Sequence, residues 1–309
     1  YKTAPVLKDG PISKDIQEKR WNQFIKLASV FESKVQKMVE SVIHHHETKT
    51  ISLIGSKYKP QKGFIKKSVN DLLPDDEQFV KVSIDALRPI FVAIAKEQGK
   101  DVFDFLGIPT QFDINEEMIR QFDKIALNAS DSYVGTVKER IRAAMLEGIK
   151  DGDGVEKLQQ RIRSAYDALT VPEAKRVART ESIRVANATN EEAYRQSNVV
   201  HAKQWFTALD ERVDDECAAL DGKIVDIEEN FTQVDGVPAA YSDIAYPPLH
   251  PNCRCVLSPV VLNKAARVGH YKKRIKKEVE KDSGQKMSHQ VEQELAKKLD
   301  ELIKAVDDE

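Results

Sequence analysis

The chain has 309 residues, of which 32% are charged and 41% hydrophobic, and its formal net charge is −2. This length allows about two domains, and this composition excludes a disordered chain. The balanced charge gives no global reason to expect a nucleic-acid or membrane partner, and no apolar run approaches the roughly 18 residues of a membrane span. An odd number of cysteines, three, argues against a disulfide framework and favours a reducing cytoplasm.

Apolar residues spaced three and four apart predict that the first half of the chain is mainly helical. An extended lead-in with Pro5 and Pro11 comes first. The elements predicted after it are a long helix through Trp21 and Phe24, a loop over 49–64, a helix over 75–98 that Gly99 ends, and a helix over 115–148.

The second half begins with a predicted short helix over 155–169. A new helix should then start at Thr170, because Thr170, Pro172 and Glu173 form the pattern of a helix cap and first turn. After Ser197 the composition becomes typical of strands, punctuated by glycine and proline. Strands are expected over 199–209, 223–227 and 254–261.

These elements predict an α+β protein that is predominantly helical. It should contain a helical N-terminal region over 1–114, a small α+β module with Cys and His over 115–260, and a helical tail over 261–309. The tail carries a narrow apolar seam and a basic stretch over 264–277. That basic stretch is either a solvated helix face or a contact for DNA phosphates.

All three cysteines and one histidine fall within 205–255, and together they form one Cys₃His set: Cys217, His250, Cys253 and Cys255. Thiolate and imidazole suit tetrahedral Zn²⁺, and four such ligands close a structural site. A small, loop-rich module would gain stability from such a metal. Two interpretations stay open: a structural zinc site, or buried apolar cysteines beside a capping histidine.

The same stretch resembles the signature of the Mu F-like family of phage head morphogenesis proteins. The residues that carry the resemblance are Trp205, Asp210 with Arg212, the Leu220-Asp221-Gly222 turn, the His250-Pro251-Asn252-Cys253-Arg254-Cys255 element, and an upstream Ala178-Arg179-Thr180-Glu181 tetrad. The resemblance covers roughly residues 115–260. The lead-in and first helix also resemble the segment that joins portal proteins to fused head domains. That resemblance implies that the chain is the C-terminal part of a larger portal-like polypeptide. Tyr1 and not Met opens the chain, so the true start is expected to lie a few residues or a whole domain upstream.

The resemblance implies a non-enzymatic minor head protein that acts in head assembly and in the fate of packaged DNA. Its implied location is inside the capsid near the portal, after assembly in the host cytoplasm. Its implied partners are the portal protein, the major capsid or scaffold protein, and packaged DNA, with no membrane.

Two enzymatic alternatives compete with this interpretation. A zinc-dependent hydrolase or deaminase would use the Cys/His set, but a deaminase requires a Glu two residues after its His, where this chain has Asn252. An ADP-ribosyltransferase-like toxin domain is suggested only by Arg179 and Glu181. We expect those two residues to form ion pairs with the Asp210 region, and Arg254 to cross-link loops through Asp210 or Asp221.

Two further motifs suggest metal binding but have simpler interpretations. His44, His45 and His46 are consecutive, so they fan out around a helix and are predicted to lie at its solvated end. Residues 151–154 resemble a calcium loop without the remaining ligand positions and are predicted to form a plain turn.

Overall fold

The computed structural model describes residues 10–60, 66–231 and 244–261, together with Val291, Gln293, Lys297 and Lys298, which are helical. The rest of the predicted tail, including its basic stretch over 264–277 and most of its apolar seam, lies outside the described residues. The described chain is a predominantly helical α+β fold, as predicted. No helix in it is long and apolar enough to cross a membrane.

Four long helices make up most of the described chain. They are α1 (Lys14–Lys57), α2 (Asp76–Leu106), α3 (Glu116–Lys150) and α4 (Val155–Ser197), with a 3₁₀ segment (Lys66–Leu72) before α2. Since an α-helix rises 1.5 Å per residue, α1 and α4 are each about 65 Å long. Asn115 caps α3, as its side chain accepts a hydrogen bond from the amide of Met118.

The predicted loop over 49–64 is wrong in its first half, because α1 continues to Lys57. Thr50 and Ile54 are fully buried in this last part of the helix. Thr50 escaped the apolar pattern because it is polar. Its buried hydroxyl donates a hydrogen bond to the His46 carbonyl, at 2.9 Å, and it also lies 2.9 Å from the Tyr166 hydroxyl.

The predicted stop at Gly99 is also wrong, since α2 continues to Leu106 and ends at Gly107, whose φ of 71° is left-handed. Gly99 is required instead because the ring of Phe112 lies close to the helix backbone at this position. An ideal Cβ at this position would lie 2.0 Å from Cδ1 of Phe112. The glycine therefore makes room for an aromatic ring and does not terminate the helix.

The predicted helix start at Thr170 is wrong as well, because α4 runs unbroken through Pro172. Thr170 does not cap a helix: its hydroxyl donates to the Tyr166 carbonyl one turn earlier, at 2.8 Å. Leu169 and Ala174 on either side of the proline are both buried. Continuous packing along α4 therefore outweighs the local capping pattern.

A four-stranded antiparallel sheet lies at the end of the helices, with the strand order β1-β4-β2-β3. The strands are β1 (Gly10–Pro11), β2 (Val200–Phe206), β3 (Ile224–Asp226) and β4 (Val256–Val261). A short helix that the sequence did not predict, α5 (Asp215–Leu220), connects β2 to β3. The central strand β4 is buried along its whole length.

One apolar core contains side chains from all four long helices, and a second, smaller cluster surrounds Trp205 between the sheet and α5. The boundary at residue 114 stays a prediction, and side chains from both sides of it share the larger core. The prediction of a solvated histidine run is wrong for His46. That residue is buried, its ring packs edge-on against Phe79, and its Nδ1 lies 2.5 Å from the Tyr166 hydroxyl.

Candidate Cys/His functional site

Three thiols meet between α5 and the loop that leads into β4. Cys217 lies on α5, and Cys253 and Cys255 lie on the loop. The three sulfur atoms are all within 4.8 Å of one another, and Sγ of Cys217 is 3.7 Å from Sγ of Cys253. All three side chains are buried and none forms a disulfide. The fold therefore gathers the cysteines that the sequence places up to 38 residues apart.

His250 lies next to the three thiols, and these four residues are called the Cys/His cluster below. Its Nε2 lies 3.1 Å from Sγ of Cys217 and 2.8 Å from a carboxylate oxygen of Asp214. Its Nδ1 lies 3.0 Å from the carbonyl oxygen of Pro251, which can only accept a hydrogen bond. Both ring nitrogens therefore face acceptors, which favours the doubly protonated ring, while a neutral ring would keep its proton on Nδ1 and turn the Nε2 lone pair towards the thiols.

Hydrogen bonds within the cluster favour one thiolate. Those from Cys217 and Cys255 hold the pKa of Cys253 well below its usual range, whereas hydrogen bonds with Cys217 and Cys253 raise the pKa of Cys255. The hydrogen bond with Cys253 also raises the pKa of His250 to about 9. These directions favour negative charge on the sulfur of Cys253 and a proton on the other two sulfurs.

Helix α4 fixes the loop through side chains that the sequence interpretation missed. The buried Asn187 donates from Nδ2 to the Cys255 carbonyl, at 3.1 Å, and accepts at Oδ1 from the Leu257 amide, at 2.9 Å. Thr180 accepts a hydrogen bond from the amide of Asn252, at 3.0 Å. Thr180 belongs to the tetrad that carried the family resemblance, whereas no sequence signal singled out Asn187.

We expect Asn187→Leu to lower the free energy of unfolding by about 2–4 kcal/mol, because two buried main-chain groups would lose their partners. Urea unfolding followed by circular dichroism measures this change. Asn22→Leu is the matched control, since Asn22 is exposed and its amide donates only within its own helix, to the Glu18 carbonyl. Equal stability of Asn187→Leu and the unsubstituted protein would contradict the assigned role.

Arg254 binds Asp210, one of the two carboxylates that the sequence predicted as its partner. Its two terminal nitrogens each lie 2.5 Å from an Asp210 carboxylate oxygen, and Arg212 adds a contact of 3.2 Å to the same carboxylate. The bond from Arg254 lowers the pKa of Asp210. Asp221 has a different role: it accepts hydrogen bonds from the amide and the hydroxyl of Thr207, at 2.9 and 3.0 Å.

The ion pairs expected between Arg179, Glu181 and the Asp210 region do not form. Arg179 pairs with Glu32 of α1, at 3.4 Å, and Glu181 pairs with Arg184 one turn along its own helix, at 2.9 Å. The two residues project in different directions from α4, so each meets a separate partner. Burial raises the pKa of Glu181.

An open pocket of about 210 Å³ lies over the Cys/His cluster. Its wall includes Arg179, Arg212 and Arg254, together with all four members of the cluster. Trp205 lies beneath this region, fully buried, and its ring stands edge-on to Phe231 at 5.2 Å between centroids. The Trp205 carbonyl accepts a hydrogen bond from the amide of Gly222. Gly222 ends the predicted Leu-Asp-Gly turn, and its φ of 76° is left-handed.

The segment that holds this site is similar to known phage head proteins. The family model described as "Phage Mu protein F like protein" matches residues 139–258, a segment that contains every residue of the site. The chain therefore carries a Mu F-like region, as its motifs predicted. It is also similar to the "Minor head protein GP7" of Bacillus phage SPP1, with 33% identity over 126 residues. That alignment covers 39% of this chain and 40% of the SPP1 protein. No solved structure matches.

Proposed function

We propose that this protein is a non-enzymatic, structural minor head protein that acts in phage head assembly. The observation that carries this proposal is the match of residues 139–258 to the Mu F-like family. The similarity to a minor head protein supports the same role. The proposed location is the virion, inside the capsid at the portal vertex, after assembly in the host cytoplasm. The proposed partners are the portal protein and the coat or scaffold protein, with packaged DNA as a further contact.

The contacts of the motif residues support a structural role for this region. Arg254 binds Asp210, Asp221 fixes Thr207, and Thr180 holds the loop at Asn252. Each of these side chains joins one segment of the module to another. A module cross-linked in this way presents a fixed surface, which a partner in an assembled head requires.

The proposal is tested in the phage that encodes the chain, with a stop codon early in the gene and with the gene restored from a plasmid. We expect the protein in purified heads of the restored phage, and heads reduced in number or infectivity without it. Co-purification with the cognate portal protein tests the proposed location. Normal infectious heads that lack the protein would overturn the proposal. Turnover of NAD or of a nucleobase by the purified chain would favour one of the two enzymatic alternatives instead.

A further inference from the structure

We propose that the Cys/His cluster is a structural zinc site in which one Zn²⁺ is held by four donors: the Sγ atoms of Cys217, Cys253 and Cys255 and Nε2 of His250. This inference concerns the stability of the module and does not depend on the role of the protein in the phage head. It rests on the spacing of the donors, on the orientation of His250, and on the charges around the cluster.

The spacing of the sulfur atoms fits a tetrahedral ion. With Zn–S bonds of about 2.3 Å, two sulfur atoms of one tetrahedron lie about 3.8 Å apart. The Cys217 and Cys253 sulfurs are 3.7 Å apart, and all three lie within 4.8 Å of one another. Three thiols cannot all be paired in disulfides within one chain. A common metal ion gives all three a partner.

The orientation of His250 supplies the fourth donor. The contact of Nδ1 with the Pro251 carbonyl, at 3.0 Å, fixes the ring and keeps the proton of the neutral ring on Nδ1, so that Nε2 can bind an ion once its own proton leaves. This is the outer contact that zinc-binding histidines normally make. Asp214 now lies 2.8 Å from Nε2. Its carboxylate is more than half exposed, so it can turn to solvent when Nε2 binds the ion.

The local charges suit the bound state. Binding requires all three cysteines to be thiolates and the Nε2 proton of His250 to pass to solvent, so three thiolates, a neutral imidazole and one Zn²⁺ carry a net charge of −1. Arg179 and Arg212 line the pocket over the cluster and can offset that charge. Since three cysteines and one histidine fill a tetrahedron, no position stays open for a reactive water, and the site is structural.

The first test is elemental analysis of the purified full chain, together with Cys217→Ser, Cys253→Ser and the matched control His44→Ala. His44 is a histidine on α1 whose side chain is 75% exposed. We expect about one zinc per chain in the unsubstituted protein and in His44→Ala, and less than a tenth of that in both serine variants. Removal of the metal by a chelator should lower Tm by roughly 5–10 °C.

Cobalt(II) binding to the unsubstituted chain keeps the test decisive if the serine variants fail to fold. Intense visible absorption with a thiolate charge-transfer band indicates a tetrahedral site with sulfur donors, and zinc should displace the cobalt. An octahedral cobalt spectrum would overturn the proposal. So would the absence of zinc and cobalt binding in reduced protein, or zinc retained in full by both serine variants.

Discussion

Replacing Lys203 with methionine should lower the free energy of unfolding by about 3–5 kcal/mol, because it leaves a buried carboxylate without its main partner. Nζ of Lys203 binds the carboxylate of Glu191, and the two side chains are 0% and 3% exposed. Burial lowers the pKa of Lys203, and the charge of Glu191 acts in the opposite direction. Arg195 also contacts Glu191, at 3.3 Å, which should keep the loss near the lower end of that range.

The double variant Lys203→Met with Glu191→Leu is the control for this prediction. Replacing both partners of a buried ion pair with apolar residues is often neutral or stabilising, since neither charge then has to leave water. We therefore expect the double variant to recover most of the stability that Lys203→Met loses. Urea unfolding of the three proteins gives the comparison. If Lys203→Met is as stable as the unsubstituted protein, the pair does not have the proposed energetic role.

Replacing Trp205 with alanine should cost about 3–5 kcal/mol of stability, as expected for a fully buried tryptophan. The ring is 0% exposed and packs against Phe231 in the smaller apolar cluster, which also contains all three cysteines. A cavity at this position removes support from beneath the Cys/His cluster. We therefore expect the loop that carries Cys253 and Cys255 to be less ordered in the alanine variant, in addition to the loss of global stability.

Trp205→Phe is the matched control, because it keeps an aromatic ring against Phe231 and leaves a smaller cavity. Its loss should be less than half that of Trp205→Ala. Chemical denaturation measures both changes, and the reactivity of the buried thiols towards a thiol reagent reports on the loop. Equal losses for the two variants, or thiols equally protected in both, would show that ring packing does not support the cluster.

The sequence predicted the elements whose signals are local. The apolar spacing along α1 and α3 identified both helices, and the composition after Ser197 identified the strands. The contact of Arg254 with Asp210 was also predicted, because a residue between two cysteines on an extended segment must face the opposite side. The comparison with known proteins then found a Mu F-like match over residues 139–258, within the region that the motifs indicated.

The errors arose where tertiary packing outweighs a local pattern. Gly99 and Thr170 have residue types typical of helix ends, yet one makes room for the Phe112 ring and the other lies inside a long packed helix. Asn187 could not be found in advance, since its role depends on main-chain groups of Cys255 and Leu257 that lie 68 and 70 positions away. The partners of Arg179 and Glu181 could not be found in advance either, because they depend on the direction in which α4 projects each side chain.

The pairing of β1 with β4 has a mechanical consequence. Gly10 lies opposite Val261 and Pro11 opposite Val260, so the chain enters and leaves the described module at the same end of two paired strands. A force that separates the residues before Gly10 from those after Val261 would break the hydrogen bonds of this ladder one after another, beginning at Gly10 and Val261. The flanking segments could thus be pulled apart with a small force. Until the ladder has opened, the helices and the Cys/His cluster bear little of the tension.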